Sequence, residues 1–329
     1  MIITQTPLRI SFSGGGTDFP EYYRRNQGFV VSAAIDKYVF VFITGRYDKK
    51  IYVNYSKKEI VDSVDEISHE LVREAMRITG ITEGVEVSMI SDIPSEGSGL
   101  GSSSSITVGL LNAFYIFMGE QVGPERLAEE ACEAEIVRCK KPIGKQDQYI
   151  ASFGGMNSFV FNRDDTVDVN CVKLSSSEMR NFTNNIYLYF TGQTRQASSI
   201  LGEQNGRVEQ NSQVLEKIKQ LGCKAYEDLT RRNYDSIGRV LDLNWKLKKE
   251  LAENITNNQI EKMHKIAMSA GATGAKICGA GGGGFMMVYC PSLAHENLKV
   301  AMKDYKEMPI EIEPDGSKVI FNYRRSSWI

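Results

Sequence analysis

Apolar and polar positions alternate through the first sixty residues. Leu8-Arg9-Ile10-Ser11-Phe12 sets the pattern, and 29–33, 38–43 and 51–55 repeat it. Successive side chains of an extended chain point to opposite faces, so this spacing predicts strands. Ile67, Leu71, Val72, Ala75 and Ile78 then recur at helical spacing and predict a helix over 65–79. A strand over 85–90 follows. Residues 106–118 are apolar on every side, which predicts a helix buried all round.

Pro124 suits the first turn of a helix continuing past Glu135, and 144–153 predicts a short helix with Asp147 in its first turns. Residues 157–161 and 167–174 read as a hairpin around Arg163-Asp164-Asp165. A strand over 186–191 precedes helices over 196–270. Strands return at 285–289, then at 310–312 and 319–321 around Pro314-Asp315-Gly316. Strands and helices mix without a strict alternation, which predicts an α+β fold of two domains, 1–180 and 181–329, divided between about 175 and 185.

The stretch from Pro94 to Ser105 breaks the pattern, with three glycines and six serines in twelve residues. It leads straight into the buried helix, which a flexible linker would not do. A glycine loop feeding a helix N-terminus offers unpaired N–H groups and the positive end of the helix dipole, and so predicts a phosphate cradle. No lysine follows Gly101, so this is not the P-loop, whose lysine reaches the β- and γ-phosphates. Another charge must neutralise a nucleotide here, and Mg²⁺ held by a loop serine and a distant carboxylate would do so.

Composition narrows the class. Apolar residues make up 42% and charged residues 24%, as in ordinary globular proteins, and a net charge of −2 gives no electrostatic case for nucleic acid or an anionic membrane. Cysteines 132, 139, 171, 223, 278 and 290 form no CxxC pair, and predict reduced thiols in a cytoplasmic protein. No signal peptide or membrane-spanning run is visible. The three histidines sit in helix-like sequence and argue against a histidine-based site.

Gly279-Ala280-Gly281-Gly282-Gly283-Gly284 matches G-x-G-x-x-G, and Asp304 lies twenty residues on, as in a dinucleotide fingerprint. That fingerprint needs a helix directly after the glycines, whereas Phe285-Met286-Met287-Val288-Tyr289 reads as a strand. The run is better explained as a loop of close backbone approach, facing the same phosphates as the first.

Three motifs thus stand far apart: Thr6-Pro7-Leu8-Arg9 through Gly14-Gly15-Gly16-Thr17-Asp18, the serine loop, and 279–284. Their order resembles the GHMP kinase superfamily, over nearly the whole chain. The resemblance implies a two-domain fold with its active site in the cleft between domains, and ATP and Mg²⁺ as cofactors. It implies that Glu96, Gly97, Ser98, Gly99, Leu100, Gly101, Ser102, Ser103 and Ser104 wrap the nucleotide phosphates. Ser103 and Glu135 match the family's Mg²⁺ ligands, Asp147 its catalytic base, Arg9 the arginine beside that base, and Asp18 an aspartate that binds sugar hydroxyls. Gly15, Gly16, Thr17, Lys145, Thr191, Arg195, Gly281 and Gly282 complete the substrate site so implied.

Galactokinases carry Gly-Glu-His-Thr-Asp where this chain has Gly14-Gly15-Gly16-Thr17-Asp18, which opens space beside Asp18 and disfavours galactose. The forms around Leu8–Pro20, Ile143–Tyr149 and Thr191–Arg195 are similar to the superfamily's heptose 7-phosphate kinase branch. That resemblance implies phosphoryl transfer to the anomeric oxygen of a small-molecule sugar phosphate. A phosphorylated acceptor needs a second anion site, for which Arg24, Arg25, Lys145 and Arg195 are candidates. An L-fucokinase-like enzyme and a non-catalytic sugar or nucleotide sensor are the alternatives, although Ser103, Glu135 and Asp147 are all retained. Tyr52 to Ser56 is a candidate wall for adenine. Nothing in the sequence speaks to oligomeric state.

Overall fold

The computed structural model describes residues 1–94, 97–194 and 197–323, and contains two sheets. The first draws on β1 (Ile2–Ser13), β2 (Gly28–Gly45), β3 (Ile51–Asn54), β4 (Lys58–Val61), β5 (Val85–Ser91), β6 (Met156–Phe161) and β7 (Val167–Cys171). The second joins β8 (Ile186–Phe190), β9 (Gly274–Ile277), β10 (Phe285–Tyr289) and β11 (Glu307–Met308) in the order β11-β8-β10-β9. The last strand, β12 (Lys318–Asn322), returns to the first sheet and pairs with β1.

Two of the expected strands are one. β2 runs unbroken for 18 residues, pairing Gly28–Ala33 with β6 and Val39–Gly45 with β5. The polar Asp36-Lys37 between these halves falls where β2 changes partner, which is why the alternation lapses there. The ladder of β1 on β2 shifts register between Pro7 and Leu8, beside a residue with no N–H to donate.

Three further differences have local causes. The helix expected over 65–79 starts at Glu70, where the His69 side chain accepts from Val72 N at 3.4 Å, and a 3₁₀ turn fills 64–66. Residues 310–312 do not form a hairpin with β12. Ile312 bridges Ile35, and Glu313 trades backbone bonds with Ala34 and Gly155, so that segment's polar groups are already spent on the first sheet. β9 was not legible at all, because its four residues are buried on both faces and show no alternation.

The apolar helix Ser102–Met118 packs against β1 and β2, with Val108, Leu110, Leu111 and Phe114 fully buried. Its N-terminus is held at the edge where the two sheets meet. There the serine loop and the third glycine loop lie backbone against backbone. A Cβ on Gly99 would stand 2.6 Å from the Cys278 carbonyl oxygen, and one on Gly279 would stand 2.6 Å from Gly99 Cα. Both glycines have positive φ, as does Gly284, whose Cβ would run into the Ser98 carbonyl. Only glycine permits this approach. Among the described residues, no helix is long and apolar enough to cross a membrane, and the six cysteines are unpaired.

Candidate active site

The site is organised by the helix Gln146–Phe153, whose first three residues carry or hold three different carboxylates. The Gln146 N–H donates to Asp18 at 3.1 Å. Asp147 accepts two bonds from the Arg9 guanidinium, 2.7 Å from Nε and 2.6 Å from Nη2. Gln148 Nε2 donates to Glu135 Oε1 at 3.1 Å. One helical turn therefore sets the spacing of the whole constellation.

Arg9 also donates to the Gly99 carbonyl at 2.5 Å, and its own N–H bonds the Leu100 carbonyl at 3.0 Å, fastening β1 to the serine loop. Burial works against its charge, but Asp147 more than offsets that and leaves Arg9 above its ordinary value. Gly101 lies directly over the pair: a Cβ there would be 3.1 Å from Arg9 Cγ and 3.4 Å from Asp147 Oδ2. A carboxylate gripped in this way stays oriented beside the loop, and its bidentate partner is the strong form of the contact. Asp18 is different. Burial raises its pKa, partly countered by the Gly16 and Gln146 N–H groups it accepts from.

Glu135 is fully buried, brought inward by a π-helical turn, Glu133–Arg138, that continues the helix Pro124–Cys132. Such turns add a residue per loop of helix and re-aim side chains. Glu135 Oε2 accepts from the Ser103 hydroxyl at 2.7 Å. Lys141 closes the group, its Nζ 2.9 Å from Ser103 Oγ, 3.5 Å from Glu135 Oε2 and 3.3 Å from Glu70. A hydroxyl and a single carboxylate form an incomplete oxygen set, which suits a Mg²⁺ that arrives with phosphate oxygens and keeps waters. No group of three or more His, Cys, Asp or Glu that could hold a metal alone occurs among the described residues. The donors present therefore fit Mg²⁺ bound together with a nucleotide, and the Lys141 ammonium already supplies positive charge between them.

Two cavities flank the serine loop. One, of about 450 Å³, is walled by Tyr55, His69, Met89, Ile90, Ile106 and Lys141, with Ser56 and Ser103 also in its lining. The other is a narrow cleft of about 80 Å³ containing Arg9, Asp18 and Asp147, with Gly15 and Gly16 in its lining.

Several expected substrate contacts lie elsewhere. The Thr17 hydroxyl is turned inward to the Gly14 carbonyl at 2.8 Å, and Thr191 bonds Gly284 O at 2.9 Å. Gly282 N–H bonds Ile255 O at 2.7 Å, while a Cβ on Gly281 would meet Ile255 at 2.9 Å, so both glycines serve loop packing. Lys145 turns away from Asp147 to the Asp165 carbonyl at 3.0 Å. Arg24 is paired with Asp165 at 3.1 Å, and Arg25 with Glu209, both on the surface. Gly15 and Gly16 line the cleft beside Asp18, although a Cβ on Gly16 would stand 3.1 Å from Leu215 Cδ2. Glu96 and Arg195 lie outside the described residues. Gln148, Lys141, Lys248, Lys276 and Ser11 carry no motif that marks them as site residues, yet all face the site, and the last three line the cleft.

The model for the GHMP kinase N-terminal domain matches residues 54–155, and that for the C-terminal domain matches 225–306. A D-glycero-alpha-D-manno-heptose 7-phosphate kinase of Campylobacter jejuni is 32% identical over 319 residues, 92% of this chain and 93% of that protein. The chain belongs to the GHMP kinase family. A solved structure of a sugar kinase from Campylobacter jejuni, 30% identical, superposes with a TM-score of 0.78 over 97% of each chain. A heptose 1-phosphate kinase structure from Bacteroides thetaiotaomicron shares the fold at TM-score 0.81 and 24% identity, covering 98% of this chain and all of that one. A galactokinase of Pyrococcus furiosus is 25% identical over 86% of this chain and 87% of its own. This GHMP kinase is a sugar kinase: a phosphotransferase with ATP as donor and an alcohol group as acceptor.

Proposed function

We propose that this kinase transfers the γ-phosphoryl group of ATP to the anomeric oxygen of D-glycero-D-manno-heptose 7-phosphate, giving the 1,7-bisphosphate in the cytoplasm. The observation that carries the reading is the Arg9–Asp147 pair, held against Gly101 at the junction of the serine loop and the cleft. Its carboxylate is within reach of both a phosphoryl group on the loop and a hydroxyl in the cleft. An anomeric hydroxyl is more acidic than an ordinary alcohol, so a carboxylate is an adequate base for it. The 32% identity to a heptose 7-phosphate kinase supports the acceptor.

In this reading the sugar oxygen attacks phosphorus and its proton passes to Asp147 Oδ. The bond from phosphorus to the β–γ bridging oxygen breaks, and ADP leaves with that electron pair. Residues 97 to 104 cradle the phosphates with backbone N–H groups, and the larger cavity takes the adenosine. Asp18 fixes a sugar hydroxyl, and the two hydrogen bonds from Arg9 keep Asp147 aligned. Ser103 and Glu135 would hold Mg²⁺, with Lys141 beside them. When bound, that ion spreads the charge of the transferring phosphoryl group.

Turnover on heptose 7-phosphate, free heptose and L-fucose tests the acceptor, with the product's phosphorus position read by NMR. Strong preference for heptose 7-phosphate and a new phosphorus coupled to the anomeric proton are expected. Equal rates on the free sugars would overturn the assignment.

A further inference from the structure

Two lysines in the acceptor cleft take no part in the reaction outlined above. Lys248 ends the helix Ser236–Lys248, and Lys276 sits within β9. They are 9% and 4% exposed, and both line the cleft with Asp18 and Asp147. Among the described residues neither is ion-paired; their ammonium groups reach only carbonyl oxygens. Lys248 donates to Gly279, and Lys276 to Ser11 at 2.8 Å and Phe12 at 3.3 Å. An ammonium has three N–H donors, so donors on both remain available. A third polar group of the same cleft is in want of a partner: the Ser11 hydroxyl is buried and has no hydrogen bond.

Buried cations without carboxylates are costly, and a chain that keeps two of them side by side meets that cost when an anion binds. Burial lowers Lys248 to about 8 and Lys276 to about 7, the latter also through the charge on Lys248. A dianion between them would reverse both effects. The location fits a group on the acceptor. At a strand rise of ~3.3 Å per residue, Ser11 and Phe12 lie roughly 7 and 10 Å along β1 from Arg9. That is comparable to the reach from the anomeric carbon to a phosphate at the far end of a seven-carbon sugar. The surface cations at Arg24, Arg25 and Lys145 are already engaged outside the cleft.

We propose that Lys248, Lys276 and the Ser11 hydroxyl form the recognition site for a phosphoryl dianion carried by the acceptor sugar. The proposal rests on the reading of the Asp147 cleft as the acceptor site. The same chemistry could be met by the γ-phosphoryl group of the nucleotide, and the test separates the two sources.

Calorimetric titration of the full chain, without nucleotide, uses D-glycero-D-manno-heptose 7-phosphate, mannose 6-phosphate and free heptose; a non-hydrolysable ATP analogue is titrated separately. Lys276→Met and Lys248→Met should each weaken the favoured sugar phosphate by about 30-fold or more, and leave free heptose and the ATP analogue within about twofold. Ser11→Ala should weaken it by roughly 3- to 10-fold. Equal loss on free heptose, or loss confined to the ATP analogue, would overturn the site, the second assigning these lysines to the nucleotide. Thermal unfolding of each variant, with Lys276→Arg as a variant retaining charge, shows whether a loss reflects the fold. If the wild type prefers mannose 6-phosphate and Lys276→Met still abolishes that preference, the heptose assignment fails and the site stands. If heptose 7-phosphate is the substrate and Lys276→Met binds it normally, the site fails and the assignment stands.

Discussion

Replacing Lys276 with methionine should stabilise the free protein at mildly acidic pH and destabilise it in alkali. Burial, then the charge of Lys248, hold the folded-state pKa near 7 against an ordinary 10.5, with Cys278 pulling the other way and Arg9 adding the smallest push downward. The unfolded chain therefore keeps this proton over a pH window in which the folded chain has lost it. Between about pH 7 and 10.5 the unfolded state binds more protons, so wild-type stability rises with pH; below 7 both states are charged and the full cost remains. At about 1.4 kcal/mol per pH unit, that cost is roughly 5 kcal/mol. Methionine removes it but leaves the Ser11 and Phe12 carbonyls without their donor, at roughly 1.5 kcal/mol each. The variant should then be about 2 kcal/mol more stable than wild type at pH 6.5. It should be about 1–2 kcal/mol less stable at pH 9.5, where wild type has recovered most of its loss. Urea denaturation of both proteins at several pH values measures the difference directly. A difference that stays constant from pH 6.5 to 9.5, or a variant weaker throughout, would refute the argument that Lys276 is a buried, uncompensated cation.

Asp147→Asn should lower kcat by about 10³-fold or more while an ATP analogue binds within a few-fold of wild type, because only the proton acceptor is lost; near-normal turnover would remove Asp147 from the role of base. Glu135→Gln should weaken Mn²⁺ binding to the complex with an ATP analogue by about tenfold or more, read by electron paramagnetic resonance, with the nucleotide-free protein as the control; unchanged affinity would place the ion elsewhere. Gly284→Ala should cost about 1–3 kcal/mol and weaken ATP binding, since its positive φ and the Ser98 carbonyl both exclude a side chain; a variant as stable as wild type in calorimetry would show that the two loops are not in obligatory contact.

Legibility in the sequence followed the physics of each feature. Half-buried strands announce themselves by alternation, so most of the first sheet could be read, whereas β9, covered on both faces, could not. Glycine-rich turns were visible as composition, and the strand after 279–284 marked that run as a loop of close approach near the first, while the particular backbone contacts of Gly99 with Cys278 and Gly279 were not legible. The carboxylates Asp18, Glu135 and Asp147 were found through motif order, because each alone resembles any acidic residue. Lys248 was hidden in Lys246-Leu247-Lys248-Lys249, which reads as a solvated helix face, and Lys141 in the pair Lys140-Lys141. Sequence displays a charge but not whether water can reach it, and that property separates these lysines from their neighbours. Gly15 and Gly16 line the cleft with Asp18, as their missing side chains suggest, but the approach of Leu215 from a distant helix to 3.1 Å of a Cβ on Gly16 was not legible.

The interlocked glycine loops have a consequence for how the enzyme is made. The serine loop is translated by residue 105, but Gly99 rests on Cys278 and Gly279, and Ser98 on Gly284. β1 precedes every other strand yet pairs with β12, which follows them all. A nascent chain therefore has no finished grip on ATP until its C-terminal strands have left the ribosome. The two halves should likewise complement each other only when expressed together, because the serine loop of one fragment rests on the glycine loop of the other.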